Sequence, residues 1–117
     1  MKTTMLSVVA IAGLMLSGSA FSGEMPALAK KHGCIACHDI DKRVVGPSWM
    51  EVSRKYKGAA KYIYGGKEYS LEDGLVMKVS KGGSGNWGSM PMPANDPNGS
   101  QQAEIGELVK FVLGLAK

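Results

Sequence analysis

Cys34-Ile35-Ala36-Cys37-His38 is the stretch from which this chain is best read. Its pattern is C-x-x-C-H, the spacing that attaches a c-type haem covalently. Two thiols three positions apart suit thioether bonds to the two vinyl groups of one porphyrin. His38 follows directly and offers an imidazole to the iron. Cys34 and Cys37 are the only cysteines, so a disulfide framework joining distant segments is excluded.

The first residues of the 117 read as an export signal rather than as part of a domain. Lys2 supplies the positive start, Met5 to Leu16 an apolar run of 12 residues, and Ser17 to Ala20 the small residues before a cleavage site. That run is too short to span a bilayer. Cleavage falls after Ala20 or Ser22, giving a signal peptide over 1–22 and one domain over 23–117. The mature chain carries no second apolar run, so no stable membrane span is expected after signal removal. A mature chain of 117 − 22 = 95 residues buries only about 60–65% of its unfolded surface. Domains of that size commonly need a staple, and a doubly attached porphyrin supplies one.

The formal charge of +4 falls to 13 − 10 = +3 once Lys2 is removed. Two haem propionates would bring the loaded protein close to neutral. There is no basic tract, and nucleic-acid binding is not expected.

Met25 to Lys31 reads as a short helix ended by Gly33. His32 reads as a surface histidine, because His38 adjoins the attachment cysteines and is the better ligand. A loop closing on Gly46-Pro47 follows. Ser48 and Glu51 form a capping box, and Trp49, Val52 and Tyr56 recur on one helical face that should stop near Gly58. Residues 59–69 read as a short helical turn followed by a loop. Ser70 caps a third helix with the stripe Leu71, Leu75, Val76, Val79, weakened by Gly74. Ser100 to Lys117 is the strongest helix, with Ile105, Leu108, Val109, Val112 and Leu115 or Ala116 on one face. No strand-period run and no internal repeat is visible. The class is all-α, with about four short helices.

The segment from Gly82 to Gly99 is an 18-residue loop rich in Gly and Pro, and loops that long are usually functional. It holds Trp87, Met90 and Met92. A methionine opposite His38 would give the iron a fairly high potential suited to electron transfer, whereas an open position would favour ligand binding or catalysis. Met77 and Met50 read as core filler. Met92 lies between Pro91 and Pro93, which pre-set its backbone. The flanking prolines favour Met92 over Met90.

The order C-x-x-C-H, Val45-Gly46-Pro47, Gly88-Ser89-Met90-Pro91-Met92-Pro93-Ala94-Asn95 and a C-terminal amphipathic helix resembles class I cytochrome c. More narrowly it is similar to the small bacterial cytochromes c-551/c-552, over roughly Gly23 to Lys117. The resemblance implies a fold of short helices around one haem c attached through Cys34 and Cys37. It implies that the iron ligands are His38 and Met92. It further implies a Pro47 carbonyl accepting from the His38 ring, a Trp87 indole donating to a propionate, and Asn95 supporting the ligand loop. Lys78 matches a position that can contact a propionate. Two departures are visible: residues 57–70 look longer than in compact members, and Ala94 replaces a usual proline.

The function implied is a periplasmic, monomeric one-electron carrier, not an enzyme, serving respiratory redox partners with acidic docking surfaces. Lys30, Lys31, Lys42 and Arg43 flank the attachment segment and would steer such a partner. Two other classes compete. A haem enzyme or small-ligand sensor with a labile methionine needs an acid–base pair that the distal loop lacks, since no His follows His38. A C-x-x-C thiol–disulfide oxidoreductase needs a strand before the motif, where this chain has a helical, Lys-rich segment.

Overall fold

In a computed structural model, residues 24–116 are described; the expected signal peptide and Lys117 lie outside them. The chain begins α1 (Ala27–Lys31) directly after Pro26, whose fixed φ suits a helix start. Gly33, at φ 70°, turns the chain out of α1 and into a single 3-10 turn over Cys34–Ala36. Only glycine enters that left-handed region without strain.

α2 (Trp49–Tyr56) opens on the capping box read from the sequence. The Ser48 hydroxyl accepts from the Glu51 amide at 3.1 Å, and the Glu51 carboxylate accepts from the Ser48 amide at 2.9 Å. The helix ends at Lys57.

The next segment departs from expectation. Residues 59–69 do not form a helical turn and a loop. They contribute to a two-stranded antiparallel hairpin, β1 (Lys61–Tyr64) and β2 (Lys67–Ser70), pairing Tyr62 with Tyr69 and Ile63 with Glu68. Gly65 and Gly66 both take positive φ, 59° and 76°, the backbone that a tight two-residue hairpin turn demands. Gly-Gly between two tyrosine-bearing runs was the available signal. Four residues per strand were too few for a period to stand out.

α3 (Leu71–Lys81) starts at Ser70, whose hydroxyl accepts from the Asp73 amide at 3.4 Å. Gly74 proves to be more than a weak point in this helix. A Cβ there would lie 2.6 Å from the Cβ of Tyr62, so the missing side chain is what lets β1 lie against α3.

α4 (Gln102–Leu113) begins two residues later than expected. The buried Asp96 carboxylate accepts from the Gln101 amide at 3.0 Å and from the Gln102 side chain at 3.2 Å. Its negative charge also suits a helix N-terminus. At the other end, buried Ser53 donates to Leu113 O at 3.1 Å and accepts from the Ala116 amide at 2.9 Å.

Two adjacent stripes of α4 feed two core clusters. Leu108 and Val112 pack with Ala29, Ile40 and Trp49. Ile105 and Val109 pack with Tyr62 and Leu75. Among the described residues the fold is therefore mainly helical, with four helices and one small hairpin arranged about α4.

His32 is not a surface residue: its side chain is only 11% exposed, and its Nε2 lies 2.6 Å from Glu104 Oε2. Lys31 Nζ reaches the same carboxylate at 2.8 Å. Together they tie α1 to α4 just ahead of the attachment cysteines. These two bonds hold the Glu104 carboxyl below the usual carboxylate range, Lys31 contributing most. None of the helices in the described residues is long and apolar enough to cross a membrane.

Candidate functional site

The attachment segment folds back on itself. The His38 amide donates to Cys34 O at 2.9 Å, and the Gly46 amide donates to Cys37 O at 2.8 Å. This brings Gly46-Pro47 under the His38 ring. His38 Nδ1 then lies 2.7 Å from Pro47 O. A carbonyl can only accept, so Nδ1 carries a proton, and in the neutral ring it is Nε2 that has the lone pair. This is the contact that the resemblance implied for His38 and Pro47. Gly46 is required for it, since a Cβ there would meet His38 Cε1 at 2.7 Å. The ring is backed by Trp49, with centroids 6.1 Å apart.

Met92 sits on the opposite strand of chain. Its amide and carbonyl both pair with Gly83 at 2.9 Å, forming an isolated antiparallel bridge at the end of α3. Gly82, at φ 75°, turns the helix into this contact, and a Cβ there would run into the Met92 carbonyl oxygen. Asn95 donates through Nδ2 to Val79 O and to Pro93 O, each at 3.2 Å. Its own amide donates to Val79 O at 3.1 Å. Asn95 therefore fastens the loop to α3 immediately after Met92. Met92 is half-buried, whereas Met90 is 63% exposed.

Cys34, Cys37 and His38 face the same cavity as Met90, Met92 and Trp87. Its volume is about 370 Å³, within the range of cofactor pockets. Leu108, Val109 and Val112 of α4 supply its apolar floor. Arg43 and Lys78 are among its lining residues, and no carboxylate is among the described ones. Lys78 Nζ donates to Gly83 O at 2.7 Å, and burial pushes its ammonium group down from the ordinary lysine value. Trp87 is half-buried, with Lys55 Nζ 4.4 Å above its ring and also donating to Asn86 O at 2.8 Å. An apolar pocket lined by two thiols, an imidazole and two methionines, with basic residues and no acid among the described lining, suits a dianionic porphyrin. All seven residues singled out in the sequence thus belong to one region: six line the cavity and Asn95 braces the loop behind it.

Three further residues of the site were not legible beforehand. Gly46 read as part of a turn and of the Val45-Gly46-Pro47 run, with no role of its own. Tyr62 lay in the segment without a clear pattern. Tyr56 read as one position of a helical stripe, yet both tyrosines line the cavity.

Burial pushes the Cys34 thiol up from its ordinary value. A redox-active C-x-x-C needs the reverse, a lowered thiol.

Short helices gathered round an attachment turn, with a methionine-bearing loop across the cavity from it, make this chain a class I c-type cytochrome. No family model matches the chain, but individual proteins do. Cytochrome c-552 of Hydrogenobacter thermophilus is 39% identical over 108 residues, 92% of this chain and 94% of that protein. Cytochrome c-551 of Azotobacter vinelandii is 44% identical over 86 residues, 74% of this chain and 90% of that protein. The crystal structure of wild-type Nitrosomonas europaea cytochrome c552 matches with a TM-score of 0.62 at 36% identity, covering 75% of this chain and 95% of that one. The chain belongs to the cytochrome c-551/c-552 family. Its cofactor is one covalently attached haem c, and its class of work is electron carriage.

Proposed function

We propose that this protein is a periplasmic one-electron carrier whose iron is held between His38 and Met92 and whose role is not enzymatic. The observation that carries the reading is the pair of locked walls. Pro47 O fixes the His38 tautomer, leaving Nε2 free to bind a metal. The paired hydrogen bonds between Gly83 and Met92 hold the loop across from it. When bound, the haem supplies a site that gains or loses one electron. His38 Nε2 and the Met92 thioether would hold that iron, and a thioether ligand would favour its reduced state. Held by both side chains, the iron would need little rearrangement on electron transfer and would offer no position to a substrate. Met92 is half-buried and Met90 mostly exposed, which supports the choice between them.

Optical spectra of the mature protein in both oxidation states, with carbon monoxide added to the ferrous form, test the reading. A sharp α-band that carbon monoxide does not disturb is expected. Tight carbon monoxide binding at neutral pH would instead favour the enzyme or sensor reading.

The docking face supports an acidic partner, with one refinement. Lys31 is paired with Glu104, and Arg43 Nε lies 3.4 Å from Glu51. Lys30 and Lys42 are exposed and take part in no ion pair described for the structure. Ile35, Val44 and Val45, in the same stretch of chain, are exposed apolar residues. Electron-transfer rates to an anionic partner should fall as ionic strength rises; a flat salt dependence would remove the electrostatic part. Export is checked by the N-terminal mass of protein recovered from the periplasm, which should begin after Ala20 or Ser22. Sedimentation should report a monomer.

A further inference from the structure

The chain that leaves Met92 is stitched to α3 at two consecutive residues. The Asn95 amide donates to Val79 O at 3.1 Å, and the Asp96 amide donates to Ser80 O at 3.0 Å. Met92 itself pairs with Gly83, just past the end of the same helix. The last turn of α3 therefore acts as a splint for residues 92–96. Ser80 and Asp96, which meet on that splint, are 1% and 3% exposed.

Gln102 joins their side chains. Its Nε2 donates to Ser80 Oγ at 2.9 Å and to Asp96 Oδ2 at 3.2 Å. An amide nitrogen has two hydrogens, one for each acceptor. Gln102 is an exposed residue at the start of α4, so water was open to its amide group. The amide reaches inward instead, and a bond to an ionised carboxylate is of the stronger kind. The Asp96 carboxylate also accepts from the Gln101 amide at 3.0 Å and from the Ser100 hydroxyl at 3.5 Å. A buried carboxylate is costly unless it is bonded in this way. Asp96 thus gathers donors from the start of α4, and Gln102 carries the connection on to α3.

What this network holds is the backbone of a ligand. Only Pro93, Ala94 and Asn95 separate Met92 from Asp96, and Pro93 has its φ fixed. The loop can withdraw Met92 as a unit only when residues 95–96 part from α3 or the Gly83 pairing opens.

We propose that Gln102 is a positioning residue for the axial methionine: by bridging Asp96 to Ser80 it locks the chain after Met92 onto α3 and makes Met92 harder to displace. The proposal rests on Met92 as the axial ligand. Asn95 grips backbone carbonyls of α3 and of its own loop. Gln102 adds α4, so the loop is held by both of the helices whose side chains line the far part of the cavity.

The test titrates the haem-loaded ferric protein with imidazole. Displacement of Met92 is followed through loss of the thioether–iron charge-transfer band. Gln102→Met keeps the length of the side chain and removes the donor, so it should bind imidazole about tenfold more tightly than wild type. Ser80→Ala removes one acceptor of the bridge and should shift the affinity in the same direction by less; it decides the matter if Gln102→Met does not take up haem. Ser53→Ala, which loosens the far end of α4, is the control. It should melt earlier than wild type yet bind imidazole with wild-type affinity. Wild-type affinity in Gln102→Met and Ser80→Ala, at whatever melting temperature, would show a merely structural contact and overturn the proposal. So would an equal gain in Ser53→Ala. Met92→Ala separates the proposal from the ligand assignment beneath it, since this variant should lack the band from the start. If it keeps the band, the assignment of Met92 falls and the proposal with it. If it lacks the band while Gln102→Met and Ser80→Ala behave as wild type, the proposal alone falls.

Discussion

Gly74→Ala and Gly106→Ala are the same change in two helices, and they should differ in stability. Both residues are helical, Gly74 in α3 and Gly106 in α4. Alanine is favoured over glycine in a helix interior by about 1 kcal/mol. At Gly106 a Cβ meets nothing within 4 Å, so that gain should be realised. At Gly74 it would lie 2.6 Å from Tyr62 Cβ, 2.7 Å from Cδ1 and 2.9 Å from Cγ. Carbon atoms rest at about 3.5–4.0 Å, so the overlap is close to 1 Å. The atoms met belong to the root of Tyr62, so β1 must shift as a whole. Overpacking of this kind costs about 1–3 kcal/mol. The propensity gain cancels in the comparison, so the two variants should differ by the steric cost alone. For a domain of this size each kcal/mol moves Tm by about 4–8 °C. Thermal unfolding of the haem-loaded proteins should place Gly106→Ala above wild type and Gly74→Ala at least several degrees below Gly106→Ala. If the two variants melt together, the hairpin does not depend on contact with α3, and the account of Gly74 is wrong.

Ser53→Ala removes a buried hydroxyl that serves both Leu113 O and the Ala116 amide. It should lower stability by about 1–3 kcal/mol, seen as a lower urea midpoint; an unchanged midpoint would mean that the end of α4 is not held there. Glu104→Gln tests the tie between α1 and α4 through pH. The Glu104 carboxyl is held below its ordinary value by Lys31 and His32, so its stabilisation is present above the ordinary carboxylate value and is lost as pH falls through the lowered one. The gap in Tm between wild type and Glu104→Gln should be widest near neutral pH and close in acid; a gap that widens in acid would refute the pairing. Met92→Ala should let carbon monoxide bind the ferrous protein readily, whereas Met90→Ala should not. Equal binding by both variants would leave the loop without a single axial ligand.

What this sequence determined by itself was whatever depends on near neighbours in the chain. C-x-x-C-H names a cofactor because its thiols and imidazole must be close together in any fold. Ser48 with Glu51, and Ser70 with Asp73, announce helix starts because a cap bonds only three residues ahead. The α4 stripes are visible because a helix repeats its face every few residues. Prolines on both sides of Met92 pre-set one methionine rather than another by local backbone restriction. The tertiary structure decided the rest, where meaning comes from a distant partner. Gly74 looked like a weakness of α3 until Tyr62 was found against it. His32 looked exposed until Glu104, 72 residues later, was found beside it. The hairpin was obscure because strands of four residues are marginal alone and gain their stability from α3. Tyr56 lay on a predicted helical face, but only the assembled fold placed it in the cavity wall beside Tyr62. Local chemistry named the haem and its two axial candidates. Packing between segments decided how the pocket is closed around them.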